Sequence, residues 1–123
     1  MAGLDRRRLT RVLDYIGANL ERDLTLARLA AVACLSRFHF SRAFKAAVGR
    51  SPHYYVSAKR LELTKQLFGK GDQPLVHIAL TLKFSSQANF TRAFREATGQ
   101  TPAQYRRRVG MIAAEPTAKN DNS

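Results

Sequence analysis

The sequence predicts an all-α protein in which seven helices form two similar lobes joined by a long linker helix. Three observations lead to this prediction. A short stretch occurs twice, glycines and Ser/Thr-Pro pairs punctuate the chain at matching places, and apolar residues recur at helical spacing. We find no stretch with the alternating pattern typical of a strand.

The duplicated stretch is Phe40 to Lys45, which returns fifty positions later as Phe90 to Arg95. Apolar residues stand at 40, 43, 44 and 47 and again at 90, 93, 94 and 97. This is the i, i+3, i+4, i+7 spacing of one buried helix face. The opposite face is polar and basic in both copies, with Ser or Thr at 41 and 91, Arg at 42 and 92, and Lys or Arg at 45 and 95, so we interpret the two helices as copies of one recognition element.

The repeat extends beyond these helices. Leu29–Ala30 matches Ile78–Ala79 at an offset of 49, whereas Gly49–Pro52 matches Gly99–Pro102 at an offset of 50. We place the extra residue in a turn at 82–86, because turns tolerate insertions best. Each copy therefore reads as a short helix, a tight turn and a second helix with a basic outer face, the outline of a helix-turn-helix.

Capping residues and helix breakers set the expected helix boundaries. Thr25 and Ser36 stand where N-caps are needed, and Gly49 stands where a left-handed residue ends a helix. Ser51–Pro52 and Thr101–Pro102 each supply a cap and a proline at the first helical position. The predicted helices are 6–20, 26–33, 37–48, 52–68, 75–82, 87–98 and 102–109.

The helices group into two lobes around a linker. Apolar residues surround the linker from Tyr55 to Phe68, so it must be buried on more than one side. Gly69–Asp72 breaks it, and few large apolar residues follow the last helix, which predicts a disordered tail. The expected first lobe, linker, second lobe and tail are about 6–50, 52–68, 72–109 and 111–123.

Charge is the strongest feature of the composition. Twenty-one Lys and Arg against nine Asp and Glu give a net charge of +12, which favours a polyanionic partner, most often nucleic acid. A soluble domain that is merely cationic is the alternative, and an anionic membrane surface would need a free apolar helix face. Arginines at 6, 7, 8 and 11 crowd the start of the first helix, where the helix dipole favours acids; they are either solvated or kept for a phosphate contact.

Other classes of protein find little support. No run of ~18 apolar residues predicts a membrane span, and the basic N-terminus lacks the apolar core of a secretory signal. His39, His53 and His77 fall on different helices without paired acids, so we expect no enzyme, metal or cofactor. The single cysteine, Cys34, excludes an internal disulfide and fits a cytoplasmic protein; we expect it to be a small buried residue, with an activated thiol as the alternative.

These residues resemble the DNA-binding domain of the AraC/XylS family of bacterial transcription regulators. The resemblance runs from about Leu9 to Arg108 and is most specific over Phe84–Arg95 and Gly99–Arg106. It implies a DNA-binding domain over 1–110, with two helix-turn-helix lobes bridged by a long helix on one face of double-stranded DNA. It also implies a cytoplasmic, nucleoid-associated regulator that contacts RNA polymerase when it activates, and we expect an activator.

The sequence departs from the family pattern in two respects. The family commonly has glycine in both turns, where this chain has Cys34 and Lys83. Because glycine serves where φ is positive, both turns are expected to be strained or differently bent. The family's usual sensing domain is also absent from the sequence, so the chain resembles the stand-alone members.

Candidate reading residues lie near the start of the second helix of each copy, which enters the major groove in a helix-turn-helix. The expected base-reading residues are Arg37, Phe38, Ser41, Arg42, Gln87, Ala88, Asn89, Thr91 and Arg92. The expected phosphate contacts are Lys45, Arg95, Ser36, Ser86 and Thr25.

The chemistry of these side chains suggests partners for each. Arg42 and Arg92 can bond guanine O6 and N7 with two donors, Gln87 or Asn89 can do the same for adenine, and Phe38 or Ala88 can pack on a thymine methyl. Several alternatives stay open. Both arginines can contact only phosphate or bond within their lobe, Asn89 can cap or brace locally, and the repeated phenylalanines can form a stacking platform for single strands instead of a core.

The linker predicts the size of the DNA site. About 17 helical residues at ~1.5 Å each span roughly 25 Å, whereas adjacent major grooves on one face lie about 34 Å apart. The offset of each reading helix must supply the difference, or the DNA must bend. We therefore expect a monomer on an asymmetric, bent site of roughly 20 base pairs. A non-specific nucleoid-type protein that coats DNA or RNA is the alternative.

Overall fold

Every element of the chain in the computed structural model is helical over the residues that it describes, 4–68 and 73–109. Seven helices and no strand occur in those two ranges, which confirms the all-α prediction. The helices are α1 (Arg6–Ala18), α2 (Leu26–Val32), α3 (Arg37–Val48), α4 (Pro52–Phe68), α5 (Leu75–Thr81), α6 (Gln87–Thr98) and α7 (102–109). The expected break at Gly69–Asp72 and the expected tail at 111–123 lie outside the described residues.

Side-chain caps begin the helices where the sequence predicts them. The hydroxyl oxygens of Thr25, Ser36 and Ser86 accept hydrogen bonds from the third backbone N–H of α2, α3 and α6, each at 3.1 Å. Gly49 and Gly99 end α3 and α6 in the left-handed conformation, at φ 90° and 82°. Both ends of the two repeated helices are therefore set by local sequence.

The chain divides within α4, between Arg60 and Leu61, into two compact units. In the first unit, Phe44 packs at 5.5 Å from Phe40 and edge-on at 5.6 Å against Tyr55, measured between ring centres. The fully or nearly buried residues of this core are Val12, Ile16, Leu29, Ala30, Ala33, Phe40, Phe44 and Val56. Helices α1 to α3 and the first half of α4 thus close one core around the Phe pair of α3.

The second unit repeats this plan. Phe94 lies 5.8 Å from Phe68 and 5.3 Å from Tyr105 between ring centres, so α6 packs against the end of α4 and against α7. The core residues are Leu61, Phe68, Ile78, Ala79, Leu82, Phe90 and Phe94. All four repeated phenylalanines have no exposed surface, which confirms the core interpretation.

The predicted stripe is wrong at its last position. Ala47 and Ala97 are exposed, whereas Val48 and Thr98, one residue further, are half-buried. The buried row in each helix therefore follows i, i+4, i+8, the ridge along which helices commonly pack. The phenylalanines at the first two positions of that row are large enough to anchor the helix without the alanine.

The turns keep the left-handed conformation although neither contains glycine. Cys34 has φ 59° and Lys83 has φ 66°, so the turns are not differently bent. In each turn the residue after this position donates its N–H to a carbonyl of the preceding helix, Leu35 to Ala30 and Phe84 to Ala79, both at 3.0 Å. A left-handed residue carrying a Cβ is disfavoured by roughly 1–2 kcal/mol, so both turns are strained, as expected.

Cys34 is exposed, so the expectation of a buried cysteine is wrong. Its backbone conformation explains the error, because the residue sits at the tip of the turn, outside the two helices that enclose the core. The hydrophobicity of a cysteine side chain does not decide burial where the backbone reverses.

The inserted residue of the second copy is Ser85. The turn hydrogen bonds of the two copies correspond at an offset of 49, and the caps Ser36 and Ser86 correspond at an offset of 50. The extra position therefore falls after the turn residue and directly before the cap of α6, within the turn that the sequence indicates.

Arg60 secures the loop that leads into α2. Its Nε donates to the carbonyl oxygen of Leu20 at 3.0 Å, and its Nη2 donates to that of Arg22 at 2.8 Å. Burial lowers the pKa of the Arg60 guanidinium, and the nearby Asp23 carboxylate offsets part of that effect. The loop ends at Thr25, so this contact helps to hold the start of α2 in place.

Candidate nucleic-acid interface

The outer face of α3 carries a cationic and aromatic surface opposite the buried Phe40 and Phe44. Its side chains are exposed except that of Ser41, which is half-buried at the edge of the face. Ser41 and Thr25 border the same cleft of the first unit. The face consists of Arg37, Phe38, Ser41, Arg42 and Lys45. The structure thus brings the first-copy candidates onto one side of α3, with Thr25 beside them.

Phe38 and Arg42 form a stacked pair on this face. The Phe38 ring is 71% exposed, and the guanidinium carbon of Arg42 lies 5.2 Å from the ring centre. Side chains in a helix lean toward its N-terminus, so Arg42 reaches back over the preceding turn. The ring therefore holds the guanidinium near the first turn of α3, the part that reads bases in a helix-turn-helix.

The outer face of α6 is built in the same way opposite Phe90 and Phe94. Four of its residues are exposed, and the fifth, Thr91, is half-buried at the position that corresponds to Ser41. Together they border a shallow, open depression on the second unit. These residues are Gln87, Ala88, Thr91, Arg92 and Arg95.

Arg92 is held by a hydrogen bond to Asn89 instead of by an aromatic ring. Its Nη2 donates to the Oδ1 of Asn89 at 2.8 Å, and the Nδ2 of Asn89 donates to the Oγ of Ser85. The Asn89 backbone N–H also donates to the Oγ of Ser86 at 3.1 Å. Both polar ends of the Asn89 amide are therefore engaged within the second unit, which is the local bracing that sequence reasoning left open.

The three capping hydroxyls remain suited to phosphate. Each of Thr25, Ser36 and Ser86 accepts one backbone N–H through its oxygen. A hydroxyl also carries one donor proton, which an oxygen of the DNA backbone can accept. A cap and a phosphate contact are thus compatible roles for one side chain.

Sequence reasoning left open that Arg92 bonds within its lobe and that Asn89 braces locally, but it did not pair the two residues, and it missed the role of Ser85. The spacing gave a signal, because an asparagine three residues before an arginine lies on the same helix face. Nothing in the spacing, however, shows which rotamer the arginine takes.

The described ranges 4–68 and 73–109 contain no group of three or more His, Cys, Asp and Glu residues able to hold a metal ion. His39, His53 and His77 are all exposed and stand on α3, α4 and α5. Within the same ranges, no helix combines the length and the apolar character needed to cross a bilayer.

Comparison with known proteins places this geometry in a family. The family model described as a helix-turn-helix domain matches residues 29–108. The crystal structure of a transcriptional regulator from Chromobacterium violaceum, described as an AraC-type DNA-binding domain-containing protein, superposes with a TM-score of 0.78 at 29% identity, covering 85% of this chain and 93% of that one. The chain belongs to the AraC-type helix-turn-helix family. The AraC/XylS resemblance read from the sequence is confirmed.

Relatives of this AraC-type domain include longer regulators. Probable transcriptional regulator LumQ of Photobacterium leiognathi is 37% identical over 102 residues, which are 83% of this chain and 41% of LumQ. Right origin-binding protein of Escherichia coli (strain K12) is 38% identical over 96 residues, 78% of this chain and 33% of that protein. This AraC-type chain therefore spans about two-fifths of the length of LumQ and about one-third of that of the origin-binding protein.

A solved complex is also similar. The DNA-binding domain of AdpA, crystallised with a target DNA, superposes with a TM-score of 0.78 at 27% identity, covering 89% of this chain and 96% of that one. The AraC-type fold is thus shared with a domain whose structure includes DNA.

Proposed function

We propose that this protein is a sequence-specific regulator of transcription that binds double-stranded DNA through α3 and α6. One observation carries the proposal: equivalent arginines, Arg42 and Arg92, are both exposed and both drawn back toward the first turn of their helices. The fully buried Phe pair on the opposite side fixes each helix in its unit. The similarity to the DNA-bound domain of AdpA and the net charge of +12 support the same conclusion.

The two reading helices enter adjacent major grooves. Arg42 and Arg92 each bond guanine O6 and N7, because the guanidinium presents two parallel donors. Phe38 and Ala88 pack against thymine methyl groups, and Gln87 bonds adenine. Arg37, Ser41 and Thr91 complete the base contacts at the edges of the two helices.

The phosphate contacts position the helices without reading sequence. Lys45 and Arg95 occupy the same position of α3 and α6 and are exposed on the reading face. The hydroxyls of Thr25, Ser36 and Ser86 add neutral donors at the starts of α2, α3 and α6.

The site is asymmetric and is bound by a monomer. The two reading faces differ in their residues, since a phenylalanine-stacked arginine in one copy corresponds to an asparagine-bonded arginine in the other. Two different faces on one chain need two different half-sites, without two-fold symmetry. The protein bends roughly 20 base pairs of DNA to engage both.

The protein acts on nucleoid DNA in the bacterial cytoplasm as an activator that contacts RNA polymerase. In vitro transcription from a promoter that carries the selected site tests this part. Transcript should rise in proportion to occupancy of the site. A fall in transcript at full occupancy makes the protein a repressor.

Selection from a random duplex pool tests sequence-specific binding. The enriched duplex should be preferred over a scrambled duplex of equal length by ~10³-fold or more at fixed salt. Equal affinity for the two duplexes would show the alternative, a non-specific nucleoid-type protein. Binding stoichiometry tests whether the protein binds as a monomer, and a strict requirement for a two-fold symmetric site would refute that.

Circular-permutation gel mobility tests whether the protein bends its site, and straight DNA in the complex would refute the bend.

A further inference from the structure

We propose that Asn89 is a positioning residue that fixes the guanidinium of Arg92 for base reading and does not itself read a base. The inference rests on the proposed function and adds to it a determinant of specificity. It follows from the contacts of the side chains at 85, 89 and 92 in the second unit.

The orientation of the Asn89 amide follows from the chemistry of its neighbours. A guanidinium only donates, so the Asn89 atom that faces Arg92 must be the oxygen. The Nδ2 then faces Ser85, whose hydroxyl oxygen accepts the hydrogen bond. The amide is therefore held from both ends.

This arrangement conflicts with direct reading by Asn89. Bidentate recognition of adenine requires the amide oxygen to accept from N6 and the amide nitrogen to donate to N7. In this structure both atoms already face partners on the protein, and Asn89 is half-buried. The amide can make one further hydrogen bond at each end, but the two present contacts fix its plane, so turning it toward an adenine would cost those contacts and release Arg92.

Arg92 gains pre-organisation from the same bonds. One of its five N–H donors is used by Asn89, and the rest of the planar group stays available to guanine. An arginine side chain otherwise loses much rotamer freedom on binding, so holding it beforehand reduces the entropy lost in the complex.

The inserted residue distinguishes the second copy from the first. Ser85 has no counterpart in the first copy, where Leu35 is followed directly by the cap Ser36. The residue that corresponds to Asn89 is His39, whose exposed side chain makes no hydrogen bond to Arg42; Phe38 supports Arg42 instead. The insertion thus supplies a hydrogen-bond partner that only α6 uses.

The test measures base preference with Asn89→Ala, Arg92→Ala and the double variant, using the duplex enriched from a random pool. The relevant base pair is the one whose preference Arg92→Ala removes. Asn89→Ala should lower preference at that base pair by roughly 3- to 10-fold, the net effect of losing one hydrogen bond. In the Arg92→Ala background, adding Asn89→Ala should leave the preference at every base pair unchanged, because the two residues act as a unit.

Three further variants sharpen the test. Asn89→Asp keeps the oxygen that receives the Arg92 hydrogen bond, so it should restore the preference while its negative charge weakens affinity for all duplexes. Ser85→Ala should lower preference at the same base pair by less than Asn89→Ala. His39→Ala, the matched control at the equivalent position of α3, should leave the preference set by Arg42 unchanged.

Three outcomes would overturn the inference. Asn89→Ala could lower preference at a different base pair, also in the Arg92→Ala background, which would make Asn89 a base reader. It could instead leave all preferences unchanged or weaken all duplexes equally. A wild-type protein with no preference at any base pair would overturn the proposed function itself, so the two failures are distinguishable.

Discussion

The guanidinium carbon of Arg42 lies 5.2 Å from the centre of the Phe38 ring, one turn earlier on α3. An exposed cation–aromatic contact of this kind stabilises the stacked arrangement of the two side chains by about 0.5–1 kcal/mol. Without the ring, Arg42 must be ordered when DNA binds. Phe38→Ala should therefore weaken binding to the selected duplex by at least ~2–5-fold, more if the ring also packs on a thymine methyl. Phe38→Tyr keeps the ring face and should restore most of the affinity, as measured by fluorescence anisotropy. Undiminished binding by Phe38→Ala would show that the ring has no role.

Arg42 and Arg92 occupy equivalent positions of the two repeated helices and are both exposed. Substituting either by alanine should cost ~1–3 kcal/mol of discrimination at one base pair. The two affected base pairs should lie about one helical turn apart if each helix occupies its own groove, as proposed. Repeating the random-pool selection with each variant measures this. Uniform weakening across all duplexes would identify the arginines as phosphate clamps.

Phe44 and Phe94 are fully buried, each in the core of one unit. Replacing either by alanine leaves a cavity and should lower the free energy of unfolding by ~3–5 kcal/mol. Urea unfolding followed by far-UV circular dichroism measures the loss. Phe38→Ala serves as the control, because Phe38 is 71% exposed and its removal should cost no more than the ~0.5–1 kcal/mol of its contact with Arg42. Equal midpoints for the Phe44, Phe94 and Phe38 variants would contradict the core assignment.

Cys34 and Lys83 hold left-handed backbone with a Cβ attached, at φ 59° and 66°. Glycine at either position would relieve backbone strain of ~1–2 kcal/mol. It would also make the unfolded chain more flexible, which costs ~0.4–1 kcal/mol of stability. Cys34→Gly and Lys83→Gly should therefore each raise the free energy of unfolding by about 0.5–1 kcal/mol. The converse control is Gly49→Ala. An added Cβ there meets nothing within 4 Å, so any loss of stability reports backbone strain alone. The midpoint temperature of thermal unfolding should rise for Cys34→Gly and Lys83→Gly and fall for Gly49→Ala.

Lys45 and Arg95 stand at equivalent exposed positions near the ends of the reading faces. If each neutralises one phosphate, Lys45→Ala and Arg95→Ala should each reduce the slope of log affinity against log salt concentration by about 1. The loss should be the same for the selected and the scrambled duplex, because phosphates carry no sequence information. A change in base preference would instead make either residue a reader.

Much of the fold was predictable because local rules decide it. Ser36 and Ser86 cap helices, and Gly49 and Gly99 end them, for reasons confined to a few neighbouring residues. The positions of Phe40 and Phe90 in the buried row followed from periodicity alone. The error at Ala47 arose because this small residue matches the apolar spacing, although it is not large enough to determine which face of the helix packs.

The candidate site was less predictable, since it depends on side-chain rotamers. The composition of α6 indicates an outward arginine but not that Arg92 turns back to Asn89. Cys34 shows a related difficulty: residue type suggests burial, whereas a backbone reversal decides exposure. The likeness of the two copies also hides the fact that Arg42 and Arg92 are supported by different chemistry.

Each reading helix is anchored from behind by its own phenylalanine pair and bounded by its own serine cap and glycine stop. Its outward side chains lie on the opposite side of the helix and are exposed, except that Ser41 and Thr91 are half-buried. If α3 reads DNA as proposed, its recognition surface is therefore separable from the fold, and the exposed residues 37, 38, 42 and 45 can be replaced to retarget one half-site while the buried core stays unchanged.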